Sequence, residues 1–297
     1  MAQSTSYSSI PKGSVPPPAM RYTRYPFLFL VDTSGSTGFD HQAQGLGPQA
    51  DIHQINRAIQ GMLGKLRYPE TDELKSVHEG LEVCVVTYNS RYDIELPWTR
   101  APDLNPSLHD FVPDGMTHTY AALTFAFGYI ADRLRYYRDQ NLKFGRPYVL
   151  HFTDGAPTDM KPGDAYWKEI QSRISNLIGT AGDPEKKLVD LRHMVTHNAV
   201  DPTRSQIKLD ANRCVTGFEL LTELSGKKSA FALDDHPDMV TELVDFVTQI
   251  IIDITTSFGA SEADPDDITQ DAARNAKHIK SADDILDADD DAAPGTP

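Results

Sequence analysis

Residues 27–38 read FLFLVDTSGSTG: five apolar side chains run directly into an aspartate and then a cluster of hydroxyls and glycines. An uninterrupted apolar run of this length suits a strand buried on both faces, as in a parallel sheet. The polar cluster then marks the loop at the strand's carboxyl end. Two further runs have the same character, 81–88 (LEVCVVTY) and 147–153 (PYVLHFT), and the second again ends in polar residues, Asp154-Gly155-Ala156-Pro157-Thr158-Asp159. Shorter strands are predicted at 94–99, pushed to a sheet edge by Pro97, and at 230–233. Residues 191–200 read as a further strand.

Helical spacing separates these runs. Ile52, Ile55, Ile59, Met62, Leu63 and Leu66 fall on one stripe, and so do Met239, Leu243, Val247, Ile250, Ile251 and Ile254 within 239–258. Further helices are predicted at 119–137, 165–178 and 218–224, the last stopped by Gly226. Alternating strands and helices imply an α/β fold with a mostly parallel sheet and helices on both faces. Ligands of such sheets bind at the carboxyl ends of the strands, near the switch point of the strand order.

The 297 residues carry 43 acids and 28 bases, a net charge of −15, which argues against nucleic acid or an anionic membrane as the main partner. Cys84 and Cys214, the only cysteines, exclude a disulfide framework and a four-cysteine zinc site. With no secretory-type apolar stretch at the start and no run near the ~20 residues of a membrane span, a cytoplasmic location is expected. Residues 1–22 are Ser/Pro-rich and read as a flexible arm; 23–260 read as the folded body. Residues 261–297 hold 11 acids and 3 bases, a net of −8, and read as a solvated, disordered tail.

Three polar clusters flank the predicted elements. Asp32-Thr33-Ser34-Gly35-Ser36 follows the first strand, Asp114-Gly115-Met116-Thr117 precedes the 119–137 helix, and Thr153-Asp154-Gly155 ends the 147–153 strand. Their donors are carboxylates and hydroxyls, which suit a hard divalent ion rather than zinc. Two carboxylates balance a 2+ charge, so such a site still tolerates one more carboxylate from outside.

Asp32-x-Ser34-x-Ser36, the later Gly115-x-Thr117 and Thr153-Asp154-Gly155 resemble the metal-ion-dependent adhesion site (MIDAS) of von Willebrand factor A domains. The resemblance covers about 23–260. It implies a Rossmann-like three-layer sandwich and Mg²⁺ or Mn²⁺ held by Asp32, Ser34, Ser36, Thr117 and Asp154. In that family one coordination position is left for an acidic residue of a partner protein, so the implied role is an adaptor and not an enzyme. TDGAPTD (153–159) is similar to the TerY-like branch, associated with tellurite resistance and bacterial stress systems, which implies a phosphatase or a kinase-like protein as partner. The loop 39–51, long and Gly/Gln-rich, is a departure from the family beside the predicted metal.

Other readings meet specific obstacles. TSGSTG resembles the phosphate loop of adenylate-forming enzymes but lacks the Pro-Lys-Gly that follows there. An aspartic protease needs a second Asp motif. A nucleophile elbow needs Gly-x-Ser-x-Gly, which neither Ser34 nor Ser36 has. Metal-assisted hydrolysis has carboxylates available but no evident base or phosphate-gripping lysine. A component of a phosphorylation relay, modified at Ser4, Ser6, Ser8 or Ser9 of the arm, is the alternative of a different class. His193 and His197, four apart, read as a surface pair without a third ligand; His151 reads as a satisfied core histidine and Cys84 as a small hydrophobe. Arg133, Arg135 and Arg138 with their neighbouring tyrosines read as a solvated helix face.

Overall fold

In the computed structural model the run 27–31 lies inside strand β1 (Tyr25–Asp32), the third strand of a seven-stranded sheet. The structure describes residues 22–39, 50–178, 188–203, 206–210, 213–236, 238–257 and 265–290. The other strands of the sheet are β2 (Leu81–Tyr88), β3 (Tyr92–Arg100), β4 (Tyr148–Thr153), β5 (Asp190–Val195), β8 (Ala230–Leu233) and β9 (Ile279–Ser281). Their order is β3-β2-β1-β4-β5-β8-β9; the inner five are parallel and the two edge strands antiparallel. The chain moves from β1 to β2 on one side and later returns to β4 on the other. The order therefore reverses at β1, where a crevice opens at the carboxyl ends of β1 and β4.

The pleat divides β1 between two cores. Phe27, Phe29 and Val31 face helices α1 (Asp51–Arg67) and α7 (Met239–Ser257). Leu28 and Leu30 face α3 (Thr119–Asp139), α4 (Ala165–Ile178) and α6 (Gly217–Ser225). Every stripe residue predicted for α1 and α7 is buried, and the two stripes meet over one face of the sheet. Each fully buried Leu or Ile contributes about 1.5–3 kcal/mol to this three-layer arrangement. α6 is held by a capping box between Thr216 and Glu219 and ends at Gly226, whose φ of +92° suits glycine. Short elements complete the body: α2 (Asp72–Val77), the one-turn α5 (His197–Val200) and the small hairpin β6 (Ile207–Lys208) with β7 (Cys214–Val215).

Two expectations are corrected. The stretch 191–200 is strand only as far as Val195; the chain leaves the sheet at Thr196, whose hydroxyl donates to Asp51 (2.6 Å), and turns into α5. His193 is consequently buried in β5 and does not form a surface pair with His197. The second correction concerns the acidic end. Residues 265–290 form α8 (Pro265–Asn275), β9 and α9 (Ala282–Asp290), and β9 pairs with β8. Ala273 and Ile279 join the core beneath α7, and Ala282 joins a smaller cluster with Phe218 and Ala230. A few apolar residues at the right places outweigh the charge, because acids such as Asp271 and Asp284 remain exposed while Glu242 of α7 accepts the backbone N–H of Lys277 and of His278. The arm 1–21, nearly all of the 39–51 loop and residues 291–297 lie outside the described residues.

Candidate functional site

The three polar clusters meet at the crevice beside β1. Asp32 closes the strand, and its Oδ1 accepts the Ser34 N–H (2.8 Å) while its Oδ2 accepts the Thr153 hydroxyl (2.7 Å). The carboxylate is thus clamped from its own loop and from β4. Ser34 Oγ and Ser36 Oγ are 3.0 Å apart, and Ser36 donates to Asp154 Oδ1 at 3.0 Å. A side chain built at Gly155 would lie 3.7 Å from Ser36 Oγ and 3.9 Å from Thr117 Oγ1, so both hydroxyls converge above this glycine. All five residues of the predicted set, Asp32, Ser34, Ser36, Thr117 and Asp154, belong to one constellation.

The loop carrying Thr117 is fixed from two directions. Gly115, with φ of +70°, brings its carbonyl to the Gly35 N–H (3.0 Å), and the Asp114 N–H donates to the Thr33 carbonyl (2.8 Å). A Cβ at Gly115 would sit 2.7 Å from Ser90 Oγ, so this position requires glycine twice over. From the other side, Thr158 donates to the Thr117 carbonyl through its N–H (2.8 Å) and its hydroxyl (3.0 Å). Asp159 accepts the N–H groups of Tyr120 and Ala121, both at 3.0 Å, and so satisfies the first turn of α3 just after Thr117. The segment TDGAPTD therefore supplies one acid to the site and then holds the neighbouring loop in place.

The electrostatics of the site are lopsided. Asp32 and Asp154 are buried, and only Ser36 and Gly35 of the first loop are exposed at the rim. Burial pushes the Asp154 carboxyl well above the usual range, and the charges of Asp32 and Asp51 push it further. Burial raises Asp32 as well, opposed by its bonds to Thr153 and Ser34. Among the described residues no basic side chain pairs with either. Asp51 forms a third buried carboxylate at the start of α1, held by Thr196 (2.6 Å) and Asn198 (2.8 Å). A cleft of about 510 Å³ opens over Ser36, Thr117 and Asp154, with Phe39 and Asn198 on its walls. This donor set fits a small, hard cation: oxygen ligands only, two carboxylates to match a 2+ charge, and hydroxyls able to turn lone pairs toward it. Among the described residues no group of three or more His, Cys, Asp or Glu is placed to hold a metal ion, at this crevice or elsewhere.

Residues 27–156 match the family model described as von Willebrand factor type A domain. The fold is of the von Willebrand factor A type. No curated protein matches the sequence significantly. Among solved structures, the A-type fold here is similar to the PilB minor pilin from Streptococcus sanguinis, at 12% identity and a TM-score of 0.50, over 82% of this chain and 64% of that one. It is also similar to the pilus adhesin SpaC from Lactobacillus rhamnosus GG, at 11% identity and a TM-score of 0.52, over 78% of this chain and 31% of that one. The chain spans less than two thirds of the length of the first structures it matches. Among the described residues, no helix is long and apolar enough to cross a membrane.

Some neighbours of the site were not singled out by sequence. Asp51, at the start of α1, has no motif around it and meets Thr196 and Asn198 only in the fold. Thr153 and Asp159 had a signal, since both belong to the quoted heptapeptide, but their roles depend on where β4 ends relative to β1 and α3.

Proposed function

We propose that this A domain is a metal-dependent protein-binding module in which Asp32, Ser34, Ser36, Thr117 and Asp154 hold Mg²⁺ (or Mn²⁺). The observation that supports this most is the pairing of two buried carboxylates through hydroxyls alone, with no guanidinium or ammonium to neutralise them. Burying such a charge is costly unless an ion balances it. The bound ion would supply the missing positive charge and a coordination position for a carboxylate of the partner protein. Exposed Ser36 and the open cleft above it leave room for that approach.

The TDGAPTD segment supports the TerY-like branch, and with it a cytoplasmic adaptor of a stress or tellurite-resistance system whose partner is a phosphatase or a kinase-like protein. The likeness to a minor pilin and a pilus adhesin is one of fold, and at 11–12% identity it does not carry a surface role to this chain. The test is partner capture with wild type and Asp32→Ala, each in Mg²⁺ and in chelator. A protein retained only by wild type in Mg²⁺ is the expected result; the same proteins retained under all four conditions would refute the reading.

A further inference from the structure

Along the β3 edge of the sheet, four aromatic rings lie nearly parallel in succession. Tyr92 of β3 stacks on Phe125 of α3 with ring centres 4.1 Å apart, Phe125 on Tyr129 at 5.5 Å, and Tyr129 on Trp98 of β3 at 5.7 Å. The Arg133 guanidinium closes the row, 6.0 Å from the centre of the Trp98 ring. Ile94 shares the face: it is the register partner of Val86, as Tyr92 is of Tyr88, and both of those partners lie in the core under α3. Tyr92 and Ile94 are 46% and 43% exposed, and Trp98, Phe125 and Tyr129 are half-buried. The row forms an aromatic shelf along the seam between β3 and α3.

The strand itself is guarded against pairing with another strand. Pro97 offers no N–H, and Arg91 and Asp93, paired at 3.3 Å, stand exposed at its start. The shelf therefore suits a segment that brings no ladder of its own. Polyproline II has no internal hydrogen bonds, is preformed at low entropy, and lies along aromatic-lined surfaces. This chain carries such a segment. Residues 15–18 read Val-Pro-Pro-Pro, within the stretch 1–21 that lies outside the described residues. The proline rings fix φ near −65°.

That stretch joins the body close to the shelf. The Tyr25 N–H donates to the Gly80 carbonyl (2.9 Å) and Arg24 Nη1 to the Glu79 carbonyl (3.1 Å), so β1 begins beside the start of β2. Arg24 lies 3.7 Å from Glu82, whose register partner on β3 is Arg100, two residues past Trp98. Phe144, bridged to Arg24, packs on Tyr137 near the end of α3 at 5.6 Å, so the entry point also adjoins the helix that carries Phe125 and Tyr129. β3 is two strand spacings from β1, about 10 Å. Pro18 lies five residues before Thr23, a span of about 15 Å in polyproline II. Residues 1–21 carry Lys12 and Arg21 and no acid, within a chain of net −15, so the body attracts them.

We propose that residues 15–18 of this chain dock on the shelf of Tyr92, Phe125, Tyr129 and Trp98. Docking covers aromatic surface at a sheet edge, where exposed apolar area otherwise invites other copies. The proposal is independent of the cation reading above.

Trp98 and Trp167 are the only tryptophans, so a ¹H–¹⁵N spectrum of the full chain shows two indole signals, one from the shelf and one from the core under α4. In the triple variant Pro16→Ser, Pro17→Ser, Pro18→Ser the Trp98 signal is expected to move, while an unmoved Trp167 signal reports the intact fold. A synthetic peptide of residues 10–21 then returns Trp98 of the variant to its wild-type position in a saturable titration. The same peptide leaves wild type unchanged, because a tethered segment faces its site at about millimolar effective concentration. Ile94→Glu, added to the triple variant, puts a charge on the shelf and abolishes the peptide response. An unmoved Trp98 in the triple variant, or a peptide that shifts wild type and variant alike, would overturn the proposal. So would a wild-type Trp98 signal that moves toward the variant position on dilution, since the occupant would then come from a second copy.

Discussion

The two ends of the sheet solve the same problem differently. At the amino ends of the strands, Glu82 is buried, yet Arg133 reaches its Oε2 at 2.6 Å, Arg24 lies 3.7 Å from its Oε1, and Tyr137 donates to it. Asp190, at the same end, faces Arg146 (3.1 Å) and Arg192 (3.7 Å). At the carboxyl ends, Asp32 and Asp154 are buried as deeply but meet only hydroxyls and backbone. The chain supplies its own cations where the acids are structural and leaves them out where the crevice opens. On the proposed reading, that asymmetry separates a buried ion pair from a site that would take its positive charge from outside.

The largest expected effect breaks the self-sufficient end. Arg133→Met leaves the Glu82 carboxylate short of its closest cation and removes the guanidinium stacked over Tyr136 and Tyr137; urea unfolding should show a loss of about 3–5 kcal/mol, with or without Mg²⁺. Next in size is the opposite sign at the other end. Asp154→Asn removes an uncompensated buried charge, so the metal-free chain should gain about 1 kcal/mol, while any Mg²⁺-induced rise in melting temperature disappears. A variant that loses stability without metal and keeps the Mg²⁺ response would contradict the comparison.

A smaller effect concerns pH. Burial brings His193 down to about 3, against 6.5 for the ordinary group. Between those values the unfolded chain binds a proton that the folded chain refuses, so stability falls as pH drops below 6.5 and the loss grows toward pH 3. His151 is lowered too and adds to the slope. Denaturation curves from pH 7 to pH 4 should be flatter for His193→Leu than for wild type; equal slopes would exclude a neutral, buried His193. The smallest effect is at Asp159→Ala, where loss of the bonds to Tyr120 and Ala121 should cost about 1 kcal/mol and loosen Thr117, read as a lower melting temperature and weaker Mg²⁺ binding.

How much was legible follows from where the information lies. The runs 27–31, 81–88 and 147–153 disclose their strands because each is buried on both faces and so mostly apolar. The first polar loop discloses a cluster of side-chain oxygens because Asp32, Ser34 and Ser36 sit within five residues, and the structure brings them together with Asp154. β9 was hidden: three residues, Ile279, Lys280 and Ser281, are too few to show a period, and the acids around them dominate any local average. His193 was misread because its burial depends on β4 and β8 flanking β5, which no local pattern encodes. Asp51 acts on the site only because the crossover from β1 returns α1 above the crevice.

The most direct test of the comparison is thermal unfolding of wild type and Asp32→Ala in chelator and in Mg²⁺. Mg²⁺ is expected to raise the wild-type midpoint and to leave that of Asp32→Ala unmoved. Equal Mg²⁺ responses in both, or none in wild type, would contradict it.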